Sequence, residues 1–253
     1  MKPSSVFHLP PIAALYELLT GQAYWRYAIE AMLRHVEVRA NGRRLRLLDL
    51  GCGPGESSFA LAQRFPDAEV VGIDFANVMV ARAKRRHRQR HPQLSRLRFE
   101  VADACDLPFD AGAFDLAAGH SFLYLVPDRA GVLHEAFRVL SPGGQILLME
   151  PSAEASLARA AQRSRRGVVR ALGRTPVSAL RFGVSMLLWR AWSGAAGRLT
   201  PQRVRALLTS AGFAEVRVLP ALGGLGLHSL GRRPFETQAV PGPAAPAPAA
   251  SGR

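Results

Sequence analysis

Residues 47–57 read LLDLGCGPGES, an apolar run with Asp49 at its end and glycines at alternate positions after it, Gly51, Gly53 and Gly55. The run is typical of a buried strand, and the residues that follow are typical of a helix. Glycine adopts positive φ and lacks a Cβ, so the backbone can turn sharply here and approach a ligand closely. The first N–H groups of the helix would then face an anionic or polar ligand. A tight strand-to-helix turn without any ligand has the same pattern.

Strands and helices alternate on both sides of this loop. Strands that are apolar throughout and alternate with helices belong in a parallel sheet that is covered on both faces. The predicted strands are 45–50, 69–74, 97–101, 114–119 and 145–150, and the predicted helices are 57–65, 77–91 and 128–139. A turn is expected at residues 141–144, Ser-Pro-Gly-Gly, before the fifth strand.

The end of the fold has clear boundary signals. A helix over 200–213 has Thr200 in the N-cap position, Pro201 as its first residue and Gly212 as its stop. Two further strand segments are joined too closely for another crossover, so we expect an antiparallel hairpin at the sheet edge. They are 214–220 and 225–233, on either side of Gly223 and Gly224. The sequence therefore predicts an α/β fold with a seven-stranded, mostly parallel sheet and an antiparallel edge hairpin.

Three segments lie outside this alternation. Residues 1–40 are predicted to form an N-terminal helical cap, with two short helices around Gly21. Residues 152–199 are expected to be a helical lid, inserted into a main domain that spans 41–233; they contain nine arginines and one acid, Glu154. The tail, 234–253, is rich in proline and alanine and is expected to be disordered.

Composition narrows the class of protein. The chain has 253 residues, with 33 lysines and arginines against 19 acids and a formal charge of +14. A chain of this length buries enough surface to need no metal or disulfide for stability. Among the 33 basic residues only Lys2 and Lys84 are lysines, and such a preference for arginine is typical of GC-rich coding DNA. The positive charge is therefore weak evidence for nucleic-acid binding.

The cysteines and apolar stretches indicate where the protein acts. Cys52 and Cys105 cannot form a disulfide framework or a four-ligand zinc site, so no metal is expected and a reduced, cytoplasmic location is predicted. The most apolar stretch, 177–192, contains Arg181 and Arg190 and is shorter than the roughly 20 apolar residues that span a bilayer. No secretory segment is recognisable in the first residues.

Acidic residues follow neighbouring strands and restrict the ligand. Asp74 ends the second strand, where its carboxylate can accept hydrogen bonds from both hydroxyls of a ribose; it could instead cap the next helix. Asp103 follows the third strand. A dinucleotide loop would have Gly or Ala where Glu56 stands, and an acid there would repel a pyrophosphate. A ligand with an ammonium and a sulfonium, S-adenosylmethionine, tolerates such carboxylates.

Taken together, these segments resemble the class I S-adenosylmethionine-dependent methyltransferases, with their Rossmann-like, doubly wound sheet. The resemblance runs over LLDLGCGPGES, VVGIDFANVMVARAK, FEVADACDLPFDAGAFDLAAG and VLSPGGQILLMEP, and is closest to the small-molecule branch that includes the ubiquinone and menaquinone biosynthesis enzymes. It implies S-adenosylmethionine as the cofactor. It also implies the following cofactor-binding residues: Asp49, Gly51, Cys52, Gly53 and Gly55 for the methionine end, Asp74 for the ribose, Phe75, Asp103 and Ala104 for the adenine, and His120 near the methyl.

The chain departs from the family pattern at two places. The family commonly has Ser or Thr where Ala76 stands, which leaves Asn77 as the expected cap of the second helix. The branch often has adjacent histidines where this chain has Tyr124 and Leu125. His120 is therefore the first candidate for a catalytic base and Tyr124 the second, although a histidine at this point can equally be a wall of the cofactor pocket.

The acceptor is expected to be a small, hydrophobic molecule. Tyr16, Tyr24, Trp25 and Tyr124 are the candidate pocket residues. Apolar residues of the insertion either contact such an acceptor or pack the lid on the sheet; they are Met186, Leu187, Leu188, Trp189 and Trp192. The insertion arginines could also bring it to a membrane surface.

Two alternatives to a small-molecule enzyme remain open from the sequence. The first is an RNA or other nucleic-acid methyltransferase that uses the basic surface. Against it, GHSFLY (119–124) stands where base methyltransferases have Asn/Asp-Pro-Pro-Tyr/Phe, and neither cysteine follows a proline or threonine. The second is a scaffold that binds the cofactor without catalysis, which the complete glycine loop and the three acids disfavour.

Overall fold

A computed structural model describes residues 9, 11, 23–40, 42–155 and 176–235 of the chain. Its helices, numbered here in chain order, are α1 (Ala23–Leu33), α2 (Glu56–Arg64), α3 (Asn77–Arg90), α4 (Arg129–Val139), α5 (Pro176–Ala196) and α6 (Pro201–Ser210). Its strands are β1 (Arg46–Leu50), β2 (Glu69–Asp74), β3 (Leu97–Val101), β4 (Phe114–His120), β5 (Leu140–Pro151), β6 (Ala214–Ala221) and β7 (Gly226–Arg232).

The strands form one seven-stranded sheet in the order β3-β2-β1-β4-β5-β7-β6. The first five are mutually parallel, and β7 runs antiparallel to both β5 and β6. The predicted fold class is therefore confirmed. The strand order reverses between β1 and β4, and open α/β sheets bind their ligands beyond the carboxyl ends of the strands at such a point.

Apolar side chains of the central strands point alternately to two cores. In β1, Leu47 faces one core and Leu48 and Leu50 face the other, and all three are fully buried. Residues of α1, α2 and α3 cover the first face, and residues of α4 and α6 cover the second. Burial on both faces explains why these strands are apolar throughout.

The predicted turn at residues 141–144 is a bulge inside a longer strand. The pairing of β4 with β5 shifts from Phe114 opposite Leu140 to Leu116 opposite Gln145, so the extra residues lie within β5. Gly143 has φ +80°, and its N–H donates to the carbonyl of Arg233. The chain therefore bends here without leaving the sheet.

The boundary signals near the C-terminal end of the fold are confirmed. The Oγ1 of Thr200 accepts a hydrogen bond from the N–H of Arg203, and α6 begins at Pro201. Gly212 follows the helix with φ +96°. The link between β6 and β7 passes through Gly223 and Gly224, both with positive φ, as a short antiparallel connection requires.

The cap and the insertion are described only in part. The second predicted cap helix is α1, whereas the first falls mainly outside the described residues. Ser152 pairs with Leu199, so the insertion leaves the sheet and returns at one point, and α5 forms its second half. Residues 156–175 and the tail beyond 235 lie outside the description, so the proposed domain boundaries stay predictions. Among the described helices, none is long and apolar enough to cross a membrane.

Candidate active site

The loop between β1 and α2 has the backbone conformation that its glycines predict. Gly51, Gly53 and Gly55 have φ values of +65°, +52° and +97°. The N–H of Cys52 donates to the carbonyl of Ile73 at 2.8 Å, which ties the loop to the end of β2. The loop therefore lies across the carboxyl ends of β1 and β2, where a ligand is expected.

Two of the three glycines make room for protein side chains. A Cβ on Gly51 would lie 2.5 Å from the Cβ of Phe122, and one on Gly55 would lie 3.0 Å from the ring of Phe59. The first distance is too short for a real Cβ contact, and the second would require the ring of Phe59 to shift. Aromatic side chains therefore pack against Gly51 and Gly55 on the side where a Cβ would stand, and Gly51 also lines the cavities described below.

Asp74 connects the loop with the start of α3. Its Oδ2 accepts a hydrogen bond from the N–H of Gly53 at 2.9 Å, and its Oδ1 accepts one from the N–H of Ala76 at 2.8 Å. The expectation that Asn77 caps α3 is wrong: Asn77 is the first helical residue, and Ala76 occupies the cap position without a side-chain cap. The carboxylate of Asp74 takes over part of that capping role.

Asp49 lies beneath the loop. The side chain is fully buried, and its Oδ2 accepts hydrogen bonds from the hydroxyls of Ser57 and Ser58. Burial raises the pKa of Asp49 to about 6. The residue does not line the main cavity described next, so its direct role is to join β1 to the first turn of α2.

The main cavity has a volume of about 350 Å³, within the range of small-molecule sites. It lies between the glycine loop, the end of β2 and the segments after β3 and β4. Its described lining includes three carboxylates, Asp74, Asp103 and Asp128, and no lysine, arginine or histidine. A ligand that is cationic or neutral is favoured here, and a pyrophosphate is disfavoured.

Three of the residues that the resemblance assigns to the adenine also line this cavity. Phe75 lines the cavity and is 54% exposed. Asp103 and Ala104 lie opposite, after β3, and the Oδ1 of Asp103 accepts a hydrogen bond from the N–H of Cys105 at 2.9 Å. That bond shapes the backbone around Ala104. The structure therefore brings Asp74, Phe75, Asp103 and Ala104 to one cavity.

A smaller recess of about 40 Å³ also borders the glycine loop. It is lined by residues from the loop, β4, α1 and α5, and it shares Gly51, Gly53 and Ser121 with the main cavity. Trp25 has its ring 5.5 Å from that of Trp189 and 5.9 Å from that of His120. We call it the aromatic recess. The indole N–H of Trp25 donates to the hydroxyl of Ser185 on α5.

Of the other predicted pocket residues, the side chain of Tyr124 is described and does not join this recess. Tyr124 is 2% exposed and lines neither cavity. Tyr16 and the side chain of Tyr24 lie outside the described residues. Of the predicted acceptor residues, the structure therefore places Trp25 beside His120, and Cys52 joins them from the loop.

His120 is held as a neutral imidazole. Burial, with a smaller contribution from His228, lowers the pKa of His120 to about 3. A histidine with so low a pKa is uncharged near pH 7 and is too weak a base to ionise an acceptor in advance.

Glu150, which the sequence analysis passed over, holds the segment after β4. It is fully buried at the end of β5, and its carboxylate accepts hydrogen bonds from the N–H groups of Phe122, Leu123 and Tyr124 at 3.0–3.3 Å. Burial raises the pKa of Glu150 to about 7. The segment it holds includes residues that line both cavities.

Glu56 and Arg86 form a second connection that the sequence did not reveal. The two side chains are ion-paired, and Arg86 also donates to the carbonyl of Pro54 at 2.9 Å. The basic run KRRHRQRH (84–91) is typical of a solvated helix face, but Arg86 within it is only 6% exposed. The negative charge of Glu56 is balanced and is not available to a ligand.

A family model decides the assignment. The model described as "Methyltransferase domain" matches residues 41–208, about two thirds of the chain. The chain belongs to this methyltransferase family. Its relatives include the demethylmenaquinone methyltransferase of Thermus thermophilus, 37% identical over 55% of this chain and 62% of that protein. The nocamycin O-methyltransferase of Saccharothrix syringae is 33% identical over 82% of this chain and 71% of that protein. The trans-aconitate 2-methyltransferase of Variovorax paradoxus is 41% identical over 42% of this chain and 38% of that protein.

Solved structures agree with this methyltransferase fold. A chain from the complex between the Haloferax volcanii Trm112 methyltransferase activator and a methyltransferase has a TM-score of 0.65 at 19% identity. The match covers 92% of this chain and 98% of that one. Human N-acetylserotonin methyltransferase has a TM-score of 0.63 at 18% identity, covering 92% of this chain and 59% of that one. At these identities the likeness shows the fold alone.

The predicted family, its enzyme class and its cofactor, S-adenosylmethionine, are therefore confirmed at the level of the methyltransferase domain. The relatives named in the matches act on small molecules. The chain spans less than two thirds of the length of the first relatives, so its own acceptor is a separate question.

Proposed function

We propose that this protein transfers a methyl group from S-adenosylmethionine to a small, predominantly apolar acceptor by in-line displacement. The main support is the pairing of two adjoining spaces at the point where the strand order reverses. One is a cavity lined by acids, and the other is the aromatic recess, which shares Gly51, Gly53 and Ser121 with it.

The charge of the cofactor matches the main cavity. Asp74 would accept hydrogen bonds from the ribose hydroxyls, and Phe75 would lie against the adenine. Asp103 and the backbone of Ala104 would bind the edge of the adenine. The ammonium and sulfonium match a lining whose described members include carboxylates and no basic residue. The methionine end would then lie along the loop at Gly51, Cys52 and Gly53, between the two spaces.

Alignment supplies most of the catalysis in this proposal. When bound, the cofactor supplies an electrophilic methyl group with a neutral leaving group. Holding a nucleophile in near-attack geometry contributes roughly 7–11 kcal/mol to lowering the barrier. The protein would enclose the acceptor with Trp25 and Trp189 and exclude water from the space beside His120.

The nucleic-acid alternative has less support. An enzyme that modifies a base must take the whole base into a pocket. The aromatic recess, at about 40 Å³, holds only the reacting end of a molecule. Salt-dependent binding of RNA, with methyl incorporation into it, would favour the alternative.

A thermal-shift comparison tests the cofactor directly. S-adenosylhomocysteine at 100 times its Kd is expected to stabilise the full chain by about 2.7 kcal/mol, roughly 5–10 °C in Tm. NAD and NADP at the same concentration are expected to produce no shift, because the acids that line the cavity repel a pyrophosphate. Stabilisation by NAD or NADP alone would overturn the proposal.

Membrane contact by the insertion is a further part of this proposal. On α5, Val184, Leu187 and Leu188 are 42%, 65% and 44% exposed at helical spacing. Cosedimentation with vesicles containing phosphatidylserine is expected, with weaker binding after Leu187→Gln and little binding to neutral vesicles. Equal recovery from both vesicle types, or no recovery, would contradict it.

Cytoplasmic location also stays a prediction.

A further inference from the structure

Three buried polar atoms of residues that line the aromatic recess have no hydrogen-bond partner within the described part of the chain. They are Nε2 of His120, Oγ of Ser121 and Nε1 of Trp189. All three residues line the recess, and Ser121 and Trp189 are 5% and 8% exposed. Buried polar atoms are nearly always paired in folded proteins, so three in one small recess point to a polar group of a ligand.

The direction of each possible hydrogen bond follows from the chemistry of the side chain. An indole N–H can only donate, and a hydroxyl can donate or accept. The imidazole of His120 is neutral, so one of its nitrogens carries the proton and the other accepts. Nε2 is the nitrogen without a partner among the described residues, and it is the acceptor in the tautomer that carries its proton on Nδ1.

The protein supplies no charged partner for an ionic acceptor among the described lining residues. A carboxylate would need a cation, and none of the described residues lining the recess is a lysine or an arginine. An ammonium group would need an unpaired acid. The acid in this lining is Glu56, whose charge is already balanced by Arg86. The recess therefore favours a neutral group.

Size and position agree with a single reacting group. The recess holds about 40 Å³, roughly three times the 10–15 Å³ that one water molecule occupies on the same measure. It adjoins the main cavity at Gly51, Gly53 and Ser121, where the proposed methyl group would lie. A hydroxyl with its attached carbon fits this space.

We propose that the acceptor presents a neutral hydroxyl, of a phenol or an enol, which accepts a hydrogen bond from Nε1 of Trp189 and donates one to Nε2 of His120. This inference rests on the proposed function and narrows it to O-methylation. Trp189 is then a binding residue for the nucleophile, contributed by the insertion.

The transfer step balances with the groups present. A lone pair of the hydroxyl oxygen forms the O–C bond, and the C–S bond breaks with its electron pair remaining on sulfur. The hydroxyl proton passes to Nε2 of His120, so the positive charge lost at sulfur appears on the imidazole. Because a protonated ether is a far stronger acid than an imidazolium, a weakly basic histidine suffices once the O–C bond is forming.

Matched ligands test the hydroxyl. With the full chain saturated with S-adenosylhomocysteine, calorimetric titration with 2-naphthol, naphthalene and 2-naphthoate compares ligands of one shape. We expect 2-naphthol to bind at least about fivefold more tightly than the other two. With S-adenosylmethionine, mass spectrometry should find the methyl ether of 2-naphthol and no C-methylated product.

Variants separate recognition from packing. Trp189→Phe and His120→Leu should each abolish the preference for 2-naphthol over naphthalene, and His120→Asn, which keeps an acceptor, should restore part of it. His134→Gln, at an exposed position on α4, is the matched control and should leave the preference unchanged. If S-adenosylhomocysteine fails to bind, the proposed function itself fails. If it binds and no hydroxyl preference appears, or the variants weaken both ligands equally, this inference alone is overturned.

Discussion

Asp74→Ala is expected to weaken S-adenosylhomocysteine binding by about 100-fold or more. The alanine variant would lose the two hydrogen bonds that the carboxylate accepts from the ribose, and hydrogen bonds to charged groups contribute about 1.5–3 kcal/mol each. It also holds the N–H groups of Gly53 and Ala76 in place at 2.9 and 2.8 Å, so the glycine loop loses its anchor in the same change. Isothermal titration of the full chain measures the effect.

Two comparisons make this result specific. Asp74→Asn keeps an oxygen for one N–H and removes the charge, so its loss of affinity should be smaller than that of the alanine variant. Asp67→Ala changes an exposed acid before β2, away from the cavity, and should bind as the parent does. An Asp74→Ala protein that is folded by circular dichroism and binds within threefold of the parent would exclude Asp74 from the cofactor site.

The glycine loop and Asp74 could be predicted because their signals are local. A strand end, a run of glycines and the next strand end are read from short stretches of sequence, and the parallel sheet brings them together. Asp49 shows the limit of this reasoning. It lies at the end of the same apolar run, but the packing of α2 places Ser57 and Ser58 against its carboxylate and keeps it out of the cavity.

The aromatic recess could not be predicted as a unit. Trp25, His120 and Trp189 come from α1, β4 and α5, about 70 to 95 positions apart in successive steps, and no periodicity links them. Tyr124 was a reasonable candidate by position, yet the turn after β4 points it into the protein. The pairing of Arg86 with Glu56 likewise depends on how α3 lies against α2, which the charge run does not reveal.

Replacement of Glu150 should strongly reduce the stability of the protein. Glu150→Leu would leave the N–H groups of Phe122, Leu123 and Tyr124 buried without their acceptor. Each unsatisfied buried donor costs about 1–3 kcal/mol, so we expect the free energy of unfolding to fall by at least about 3 kcal/mol. Urea denaturation at pH 7 measures it. Glu30→Leu, at an exposed position on α1, is the control and should change the free energy of unfolding by less than about 1 kcal/mol.

The same carboxyl group predicts a pH dependence with a definite sign. Burial raises the pKa of Glu150 from 4.5 to about 7, so the folded protein holds this proton more tightly than the unfolded chain does. Unfolding therefore releases a proton between about pH 4.5 and 7, and the contribution of Glu150 to stability falls as the pH rises through that window. Glu150→Gln carries no titrating proton, so its free energy of unfolding should decline less between pH 5 and 7.5 than that of the parent. Asp49 and His120, which also titrate with shifted pKa values, are present in both proteins and cancel in the comparison. Parallel curves for the two proteins would show that Glu150 is ionised in the folded state throughout, with Arg129 and the three N–H groups outweighing its burial.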